Sequence, residues 1–380
     1  MTSTKHDLSD VVICSRIRLA RNIADFPFVS TCSKEQLAEI ESAVRSGFTE
    51  DDELSQLSFL DSVEMESLER QFLLDLETIS PTQHGSRADS VKVQTGSQES
   101  VALAGDVSLE MAAPGDAVSS LDDLSIAINE EDHLRLSVTH NDLDLAGAWE
   151  KVGRLDDKIE EQFDFAFSPR WGYLTACPAN VGTGMRVSVL VHLPALVMTG
   201  QTEKVFRSVQ RVNVVAREMS GDSAAGDFFR ISNQATLGCS EADLIDQVAG
   251  VIPTLVKCER EAREFLLKEN PEVVRAQVSS AMESLCQCDL SDSSDENNKL
   301  IMSLLSHVRM GVGMGVFDRQ QINHVNSLFS LVNLRHRLFA AVTREDYSQA
   351  SKLRDQIREL ESSSVGGNGS NESSLDQEDK

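Results

Sequence analysis

The sequence predicts a region of mixed strands and helices reaching to about residue 250, followed by an all-helical module. Three observations carry this reading. Apolar runs of strand length recur in the first part, as in VVICSRIRLARNI (11–23) and LSIAINEEDHLRLSV (124–138). Segments whose apolar residues repeat at helical spacing lie between such runs. From about Leu244 onward the helical pattern is almost continuous.

The elements follow in chain order. Residues 11–23 begin as a strand, and a helix is predicted around 34–47. A second helix, roughly 62–78, ends at Ser80-Pro81, because the residue before a proline is biased away from helical backbone. Residues 82–121 are rich in Ser and Gly, lack aromatics and carry only Arg87 and Lys92 as cations, the composition of an inserted, mobile loop. Residues 124–138 read as strand, polar loop and strand. Leu145, Trp149, Val152, Leu155, Ile159 and Phe163 then recur at helical spacing. In 172–196 two strand-like runs bracket a Pro/Gly-rich bend, and a helix near 202–218 precedes a loop at 220–226 and the strand-like FFRIS. The helical module is broken by the acidic DLSDSSDENNK (289–299), and the stretch from about 363 to 380 reads as a disordered tail. The division expected is a catalytic region over 1–250, with 82–121 as a flexible insertion, and a helical domain over 251–362.

Charge narrows the function classes. Against 35 Lys and Arg stand 61 Asp and Glu, a formal net charge of −26, which excludes a nucleic-acid coat or a binder of anionic membranes. An anionic ligand must therefore meet a local cluster of positive charge. No apolar run is long enough to span a membrane, and the opening MTSTKHDLSD is unlike a signal peptide, so a cytoplasmic location is expected. The seven cysteines form no CxxC, so neither a disulfide framework nor a zinc ribbon is expected; Cys286-x-Cys288 could bind a metal but has no second Cys/His pair nearby.

Three segments could carry chemistry. In SRIRLAR (15–21), a strand period of two puts Arg16 and Arg18 on one face, where two guanidinium forks suit phosphate oxygens. In NEEDHLR (129–135), Glu130, Glu131 and Asp132 precede His133 and Arg135 where a plain turn would hold Gly or Asn. In CPANVGTGMR (177–186), glycines let backbone approach a ligand and Arg186 adds charge. Each also has a plain reading: a solvated edge strand, a charged turn, a buried structural thiol at Cys177. The Rossmann and P-loop spacings, the protein-kinase motifs and GxSxG are all absent. Arginines on strands and carboxylates on a separate loop would suit phosphoryl transfer, which needs positioning and charge neutralisation more than covalent chemistry.

At these segments the chain closely resembles the phosphagen (guanidino) kinase family, whose members move the γ-phosphoryl of ATP to a guanidinium nitrogen. SRIRLARN, NEEDHLR, GYLTACPANVGTGMR and RISNQATLG carry the resemblance, and ACPANVGTGMRVSVLVHLPALVMTGQ resembles the bacterial protein-arginine kinase branch. The resemblance implies an α+β fold, a largely antiparallel sheet flanked by helices, followed by the helical C-terminal domain. It implies that Arg16, Arg18, Arg135, Arg186 and Arg217, with Asn180, hold the nucleotide. Glu131 matches the carboxylate that holds the guanidinium and acts as general base, with Glu130 beside it. Cys177 matches the thiol lying against the guanidinium. Asp222 stands where the family has a Glu as second carboxylate, Glu218 where a Gly is typical, and Ala179 where the family has Thr. ATP, with Mg2+ held mainly by the nucleotide, is implied.

TREDYSQASKLRDQIREL (343–360) resembles a UVR motif, part of a helical hairpin at about 320–361 whose apolar seam includes Ala350, Leu353, Ile357 and Leu360. That implies a Clp-protease or adaptor partner, or a homodimer. The activity implied is ATP-dependent phosphorylation of arginine side chains in proteins. A kinase of free arginine or another small guanidino compound, and a catalytically silent nucleotide-binding interaction protein, remain the alternatives.

Overall fold

The computed structural model describes residues 8–51, 54–61, 100–104, 124–140, 142–218, 227–287 and 295–316. The helix expected at 62–78, the hairpin at 320–361, the tail and Asp222 lie outside the described residues.

The elements are β1 (Val12–Arg21), α1 (Lys34–Glu50), β2 (Leu57–Asp61), β3 (Ser100–Ala104), β4 (Leu124–Ile128), β5 (Leu134–His140), α2 (Leu145–Glu160), β6 (Phe167–Ser168), β7 (Gly172–Tyr173) and β8 (Met185–His192). They continue with α3 (Pro194–Met198), α4 (Thr202–Gln210), β9 (Val214–Glu218), β10 (Phe228–Asn233), α5 (Glu241–Glu269), α6 (Pro271–Gln287) and α7 (Asp295–Gly313). Eight strands form one sheet in the order β2-β3-β4-β5-β1-β8-β10-β9. Every neighbouring pair is antiparallel. The fold is the antiparallel sheet flanked by helices that the sequence implies.

The sheet is two-faced because its strands alternate. Ile17, Leu19, Leu134, Leu136, Val138, Met185, Val187, Val189, Val191 and Ile231 are fully buried on one face. Helices α2 and α5 pack there, α2 on β1 and β5, α5 on β8 and β10. The periodicity of α2 buries Leu145, Ala148, Val152, Leu155 and Ile159, and its N-terminus is capped by Asp144, which accepts from the Gly147 amide. A reciprocal capping box of Ser240 and Asp243 starts α5.

Three expectations need correction. The helix expected over 202–218 ends at Gln210, and residues 214–218 form β9. Asn213, at φ 59°, turns the chain in the left-handed region that Asn tolerates. The valines that follow pair with β10, so tertiary pairing overrides a helical reading of the segment. The insertion expected over 82–121 contains β3, whose SVALA run pairs with both β2 and β4. Its Ser/Gly-rich surroundings hide this short apolar strand from a composition argument. Helix α5 also runs unbroken through residue 250, burying Leu244 and Val248 before that point and Ile252, Leu255 and Val256 after it. Among the described residues no helix is long and apolar enough to cross a membrane.

One buried ion pair joins sheet to helix. Arg21, at the end of β1, donates from Nε and Nη2 to Asp156 of α2 at 2.9 and 2.6 Å, and from Nη1 to the carbonyls of Ala20 and Thr183. Its guanidinium stacks 3.5 Å from the centroid of Tyr173. Removing one partner of such a pair strands the other charge in low dielectric. Asp156→Ala is therefore expected to cost about 3–5 kcal/mol in denaturant unfolding, whereas an exposed pair such as Arg207–Glu203 should cost less than about 1 kcal/mol.

Candidate active site

Residues directly opposed in an antiparallel pair project to the same face. Arg18 stands opposite Ser137 on one side and Arg186 on the other; Arg16 stands opposite Thr139 and Ser188. Ala20 is opposite Arg135. Across β8, Leu190 opposes Arg230, and Arg230 opposes Arg217. Arg16, Arg18, Arg135, Arg186, Arg217 and Arg230 therefore share the face turned away from α2 and α5. Arg16 is nearly buried and donates from Nε to Thr139 Oγ1 at 2.9 Å. Arg135 is ion-paired with Glu130. A cavity of about 310 Å3 opens between Arg186 and Arg217, with Gln210 and Gln234 at its wall.

The acidic loop lies between β4 and β5. Asn129, at φ 57°, starts the turn, and its amide donates to the His133 carbonyl at 2.9 Å. Two side chains that look like chemistry have their polar atoms engaged by the scaffold. Asp132 Oδ1 accepts from Asn22 Nδ2 and from the Ala176 amide, both at 2.6 Å. His133 Nδ1 accepts from the Ile23 amide at 2.9 Å, which assigns the proton to Nε2 and makes it the donor to the Pro27 carbonyl at 2.8 Å. Burial holds the His133 ring below its ordinary pKa, so it stays neutral.

Glu131, between them in role, projects out of the loop and is exposed. It is hydrogen-bonded to the Cys177 side chain, the thiol donating to the carboxylate. Burial of its carboxyl, then the neighbouring charges of Asp132 and Glu130, push Glu131 above the ordinary carboxylate range; Arg135 and the Cys177 hydrogen bond oppose the shift. A raised carboxylate is a better proton acceptor near neutrality.

The bend carrying Cys177 is held from below. The Thr236 hydroxyl lies 2.9 and 2.8 Å from the carbonyls of Ala179 and Val181. Gly182, at φ 117°, passes so close that a Cβ would sit 2.3 Å from the Thr236 carbonyl oxygen. Asn180, half-buried, lies in this bend, its amide donating to the Cys177 carbonyl at 2.9 Å.

The structure thus gathers Arg16, Arg18, Arg135, Arg186 and Arg217 on one face and brings Glu131 to Cys177, with Glu130 on Arg135. Asp222 belongs to a segment outside the described residues. Sequence reasoning passed over Arg230, although Phe229 and Ile231 on either side are buried and the strand period places it among the other arginines.

An arginine-bearing sheet face, with a carboxylate and a thiol joined at the adjoining loops, has the chemistry of a site for an anionic ligand, as phosphoryl transfer requires. Comparison with known proteins gives the particular kind. The family model described as ATP:guanido phosphotransferase, C-terminal catalytic domain, matches residues 39–262, and the UvrB/uvrC motif matches 330–363. A protein-arginine kinase from Halothermothrix orenii is 35% identical over 329 residues, covering 86% of each chain. One from Geobacillus stearothermophilus is 33% identical over 359 residues, covering 92% of this chain and 91% of its own. Among solved structures, the substrate-free duplicated taurocyamine kinase from Schistosoma mansoni aligns with a TM-score of 0.55 at 19% identity, over 76% of this chain and 40% of that one. A lombricine kinase aligns with a TM-score of 0.52 at 21% identity, over 66% and 67% of the two chains. These two likenesses bear on fold. The chain belongs to the ATP:guanido phosphotransferase family.

A base that must be ionised loses activity as pH falls through its pKa; for Glu131 in the role of base that the family resemblance implies, the upward shift predicts an acid limb of kcat/KM above the ordinary carboxylate range. Asp132→Asn keeps the accepting oxygen for Asn22 and Ala176 while removing one of the charges that raise Glu131. The acid limb of its pH–rate profile is expected at lower pH than in the wild type.

Proposed function

We propose that this enzyme phosphorylates arginine side chains of proteins, using ATP as donor. The observation that carries the chemistry is the juxtaposition of Glu131 and Cys177 with the arginine face. The protein acceptor is supported by relatives named protein-arginine kinase that align over most of the chain.

In this reading Arg16, Arg18, Arg135, Arg186 and Arg217, with Asn180, hold the nucleotide phosphates. Glu131 and Asp222 fix the acceptor guanidinium, with Cys177 against it. A guanidinium is protonated up to a pKa above about 12 and is a poor nucleophile until a carboxylate orients it and takes a proton. A terminal nitrogen attacks the γ-phosphorus, the bond to the β–γ bridging oxygen breaks, ADP leaves, and the nitrogen's proton passes to Glu131. The arginines offset the charge spread over the equatorial oxygens of a loose transition state. Glu130 holds Arg135 in place through their ion pair. Magnesium enters as part of the nucleotide substrate. Held mainly by the nucleotide, it would take phosphate oxygens and water as its ligands. We assign the helical C-terminal domain, with its UVR-like hairpin, to homodimerisation or to contact with a Clp-protease or adaptor partner, in the cytoplasm.

Incubation with γ-labelled ATP and either a denatured protein or free arginine tests the reading. Label is expected on protein arginine; label confined to free arginine would overturn it. Glu131→Gln should lower kcat by about 10²–10⁴-fold with the circular-dichroism spectrum unchanged. Arg186→Ala should lower kcat/KM and raise the KM for ATP.

A further inference from the structure

We infer that Asn22 is a positioning residue, whose side chain sets the acid and the thiol of this site in line with the arginine face. The inference rests on the phosphoryl-transfer reading above and adds to it a residue that touches neither substrate.

Asn22 is buried, and its side chain engages both its nitrogen and its oxygen. Nδ2 donates to Asp132 Oδ1 at 2.6 Å and to the Leu174 carbonyl at 3.1 Å, while Oδ1 accepts from the His133 amide at 2.9 Å. Asp132 carries the link on to the Ala176 amide at 2.6 Å. The residues held in this way are Asp132 and His133, which follow Glu131, and Leu174 and Ala176, which precede Cys177. Each residue of chain spans at most about 3.6 Å, so a displacement at Asn22 reaches both the acid and the thiol over a short path.

The backbone beneath Asn22 is fixed without help from its side chain. Arg21, just before it, is paired with Leu134 in the sheet and locked to Asp156. The Asn22 carbonyl accepts from the Ala166 amide at 2.7 Å, and the Ile23 amide donates to His133 Nδ1. The strand that ends here is the one carrying Arg16 and Arg18. Asn22 therefore stands between the two halves of the site, with the arginine strand on one side and the contact of Glu131 with Cys177 on the other. Phosphoryl transfer needs reacting atoms about 3–3.5 Å apart and in line, and a misplacement of about 1 Å costs about 10²-fold. A carboxamide suits this place, since one rigid plane supplies two donors and an acceptor and adds no charge beside the acids.

The charge state of the link follows from its surroundings. Burial pushes Asp132 above the ordinary carboxylate range, while hydrogen bonds from the Ala176 amide and Asn22, with His133 and Arg135 acting in the same direction, oppose the shift. A carboxylate at position 22 would replace the donor by a second acid at the same contact. Two carboxylates that close cannot both ionise without repulsion, so they share a proton at low pH and part as it is lost. An amide on either side of the contact removes the conflict.

Steady-state kinetics with ATP and a denatured protein, together with iodoacetamide alkylation of Cys177 followed by mass spectrometry, test the inference. Asn22→Asp is expected to lower kcat about 10²-fold where both carboxylates are ionised, with the KM for ATP within about twofold because the arginine face is untouched. Its kcat should fall as pH rises, opposite in sense to the acid limb expected of Glu131, and Cys177 should be alkylated several-fold faster once released from that carboxylate. Combining Asn22→Asp with Asp132→Asn returns an amide to the contact, so kcat should recover about tenfold or more and the fall with pH should vanish. Asn22→Ser breaks the link without adding charge; it should lower kcat and speed alkylation at every pH, and it decides the matter should Asn22→Asp not fold. Unchanged kcat and alkylation in Asn22→Ser, or a loss in Asn22→Asp that the second substitution does not recover, would overturn the inference. Transfer by the wild type to no guanidino acceptor would overturn the reading of function instead, and the alkylation rates would still decide whether Asn22 holds the acid to the thiol.

Discussion

Antiparallel pairing places arginine directly opposite arginine, Arg18 across from Arg186 and Arg217 across from Arg230. Like charges opposed on neighbouring strands destabilise a sheet. The register persists because the other face settles it. Ile17, Leu19, Val187, Val189 and Ile231 are fully buried there, and a slip of one residue would turn all of them to solvent. The arginine face is thus held in place by burial on its reverse side. Repulsion is eased by the Arg135–Glu130 ion pair and by access to water at Arg217, and an anion lying across the face would relieve it further. In a chain of net charge −26, a positive surface of this kind has to be assembled locally, and the pleat does so with residues that are distant in sequence.

The acid and the thiol depend on a second constraint. Asn22 lies one residue past the end of β1, and it donates to Asp132 and to the Leu174 carbonyl while accepting from the His133 amide. One side chain therefore ties the end of the arginine strand to the acidic loop and to the segment that leads into Cys177. Asp132 completes the link through the Ala176 amide. Glu131 and Cys177 meet because the residues on either side of each have been fixed. The polar atoms of Asp132 and His133 serve this positioning, and Glu131 alone of the three points outward.

Much of this was legible in the sequence because it is periodic. Alternation in SRIRLAR and in LRLSV gave β1 and β5, and the spacing from Leu145 to Ile159 gave α2. The arginines at 16 and 18 follow from a period of two. What escaped depended on partners remote in the chain. Residues 214–218 become a strand because β10 is there to pair with, and SVALA becomes a strand because β2 and β4 flank it. Arg230 escaped because nothing local distinguishes one arginine in FFRIS; it matters once Arg217 stands opposite. The roles of Asp132 and His133 were equally invisible, since a buried hydrogen bond to Ala176 or Pro27 leaves no pattern in composition or spacing.

The strand bearing Arg16 and Arg18 is fixed at both ends, and this connects the helical region to the site. At its far end Arg21 is locked to Asp156. At its near end Asp10, just before β1, accepts from Arg260 and from Arg263, the latter at 3.0 Å, both on α5. Arg309 of α7 donates to the Ser9 carbonyl at 2.6 Å, and Ser306 of the same helix lies 2.7 Å from His192 at the end of β8. Arg263 is also held by Glu259, a fully buried carboxylate that accepts from the amides of Ala195 and Leu196. Burial, with the repulsion of Arg263, lowers Arg309 to about 10 against the pull of Asp10, so Arg309 remains charged at neutral pH. Asp10 accepts from two guanidinium groups of one helix, and displacing it would take from the buried Arg263 one of its two carboxylate partners. Helices α5 and α7 therefore form part of the framework that sets the position of β1.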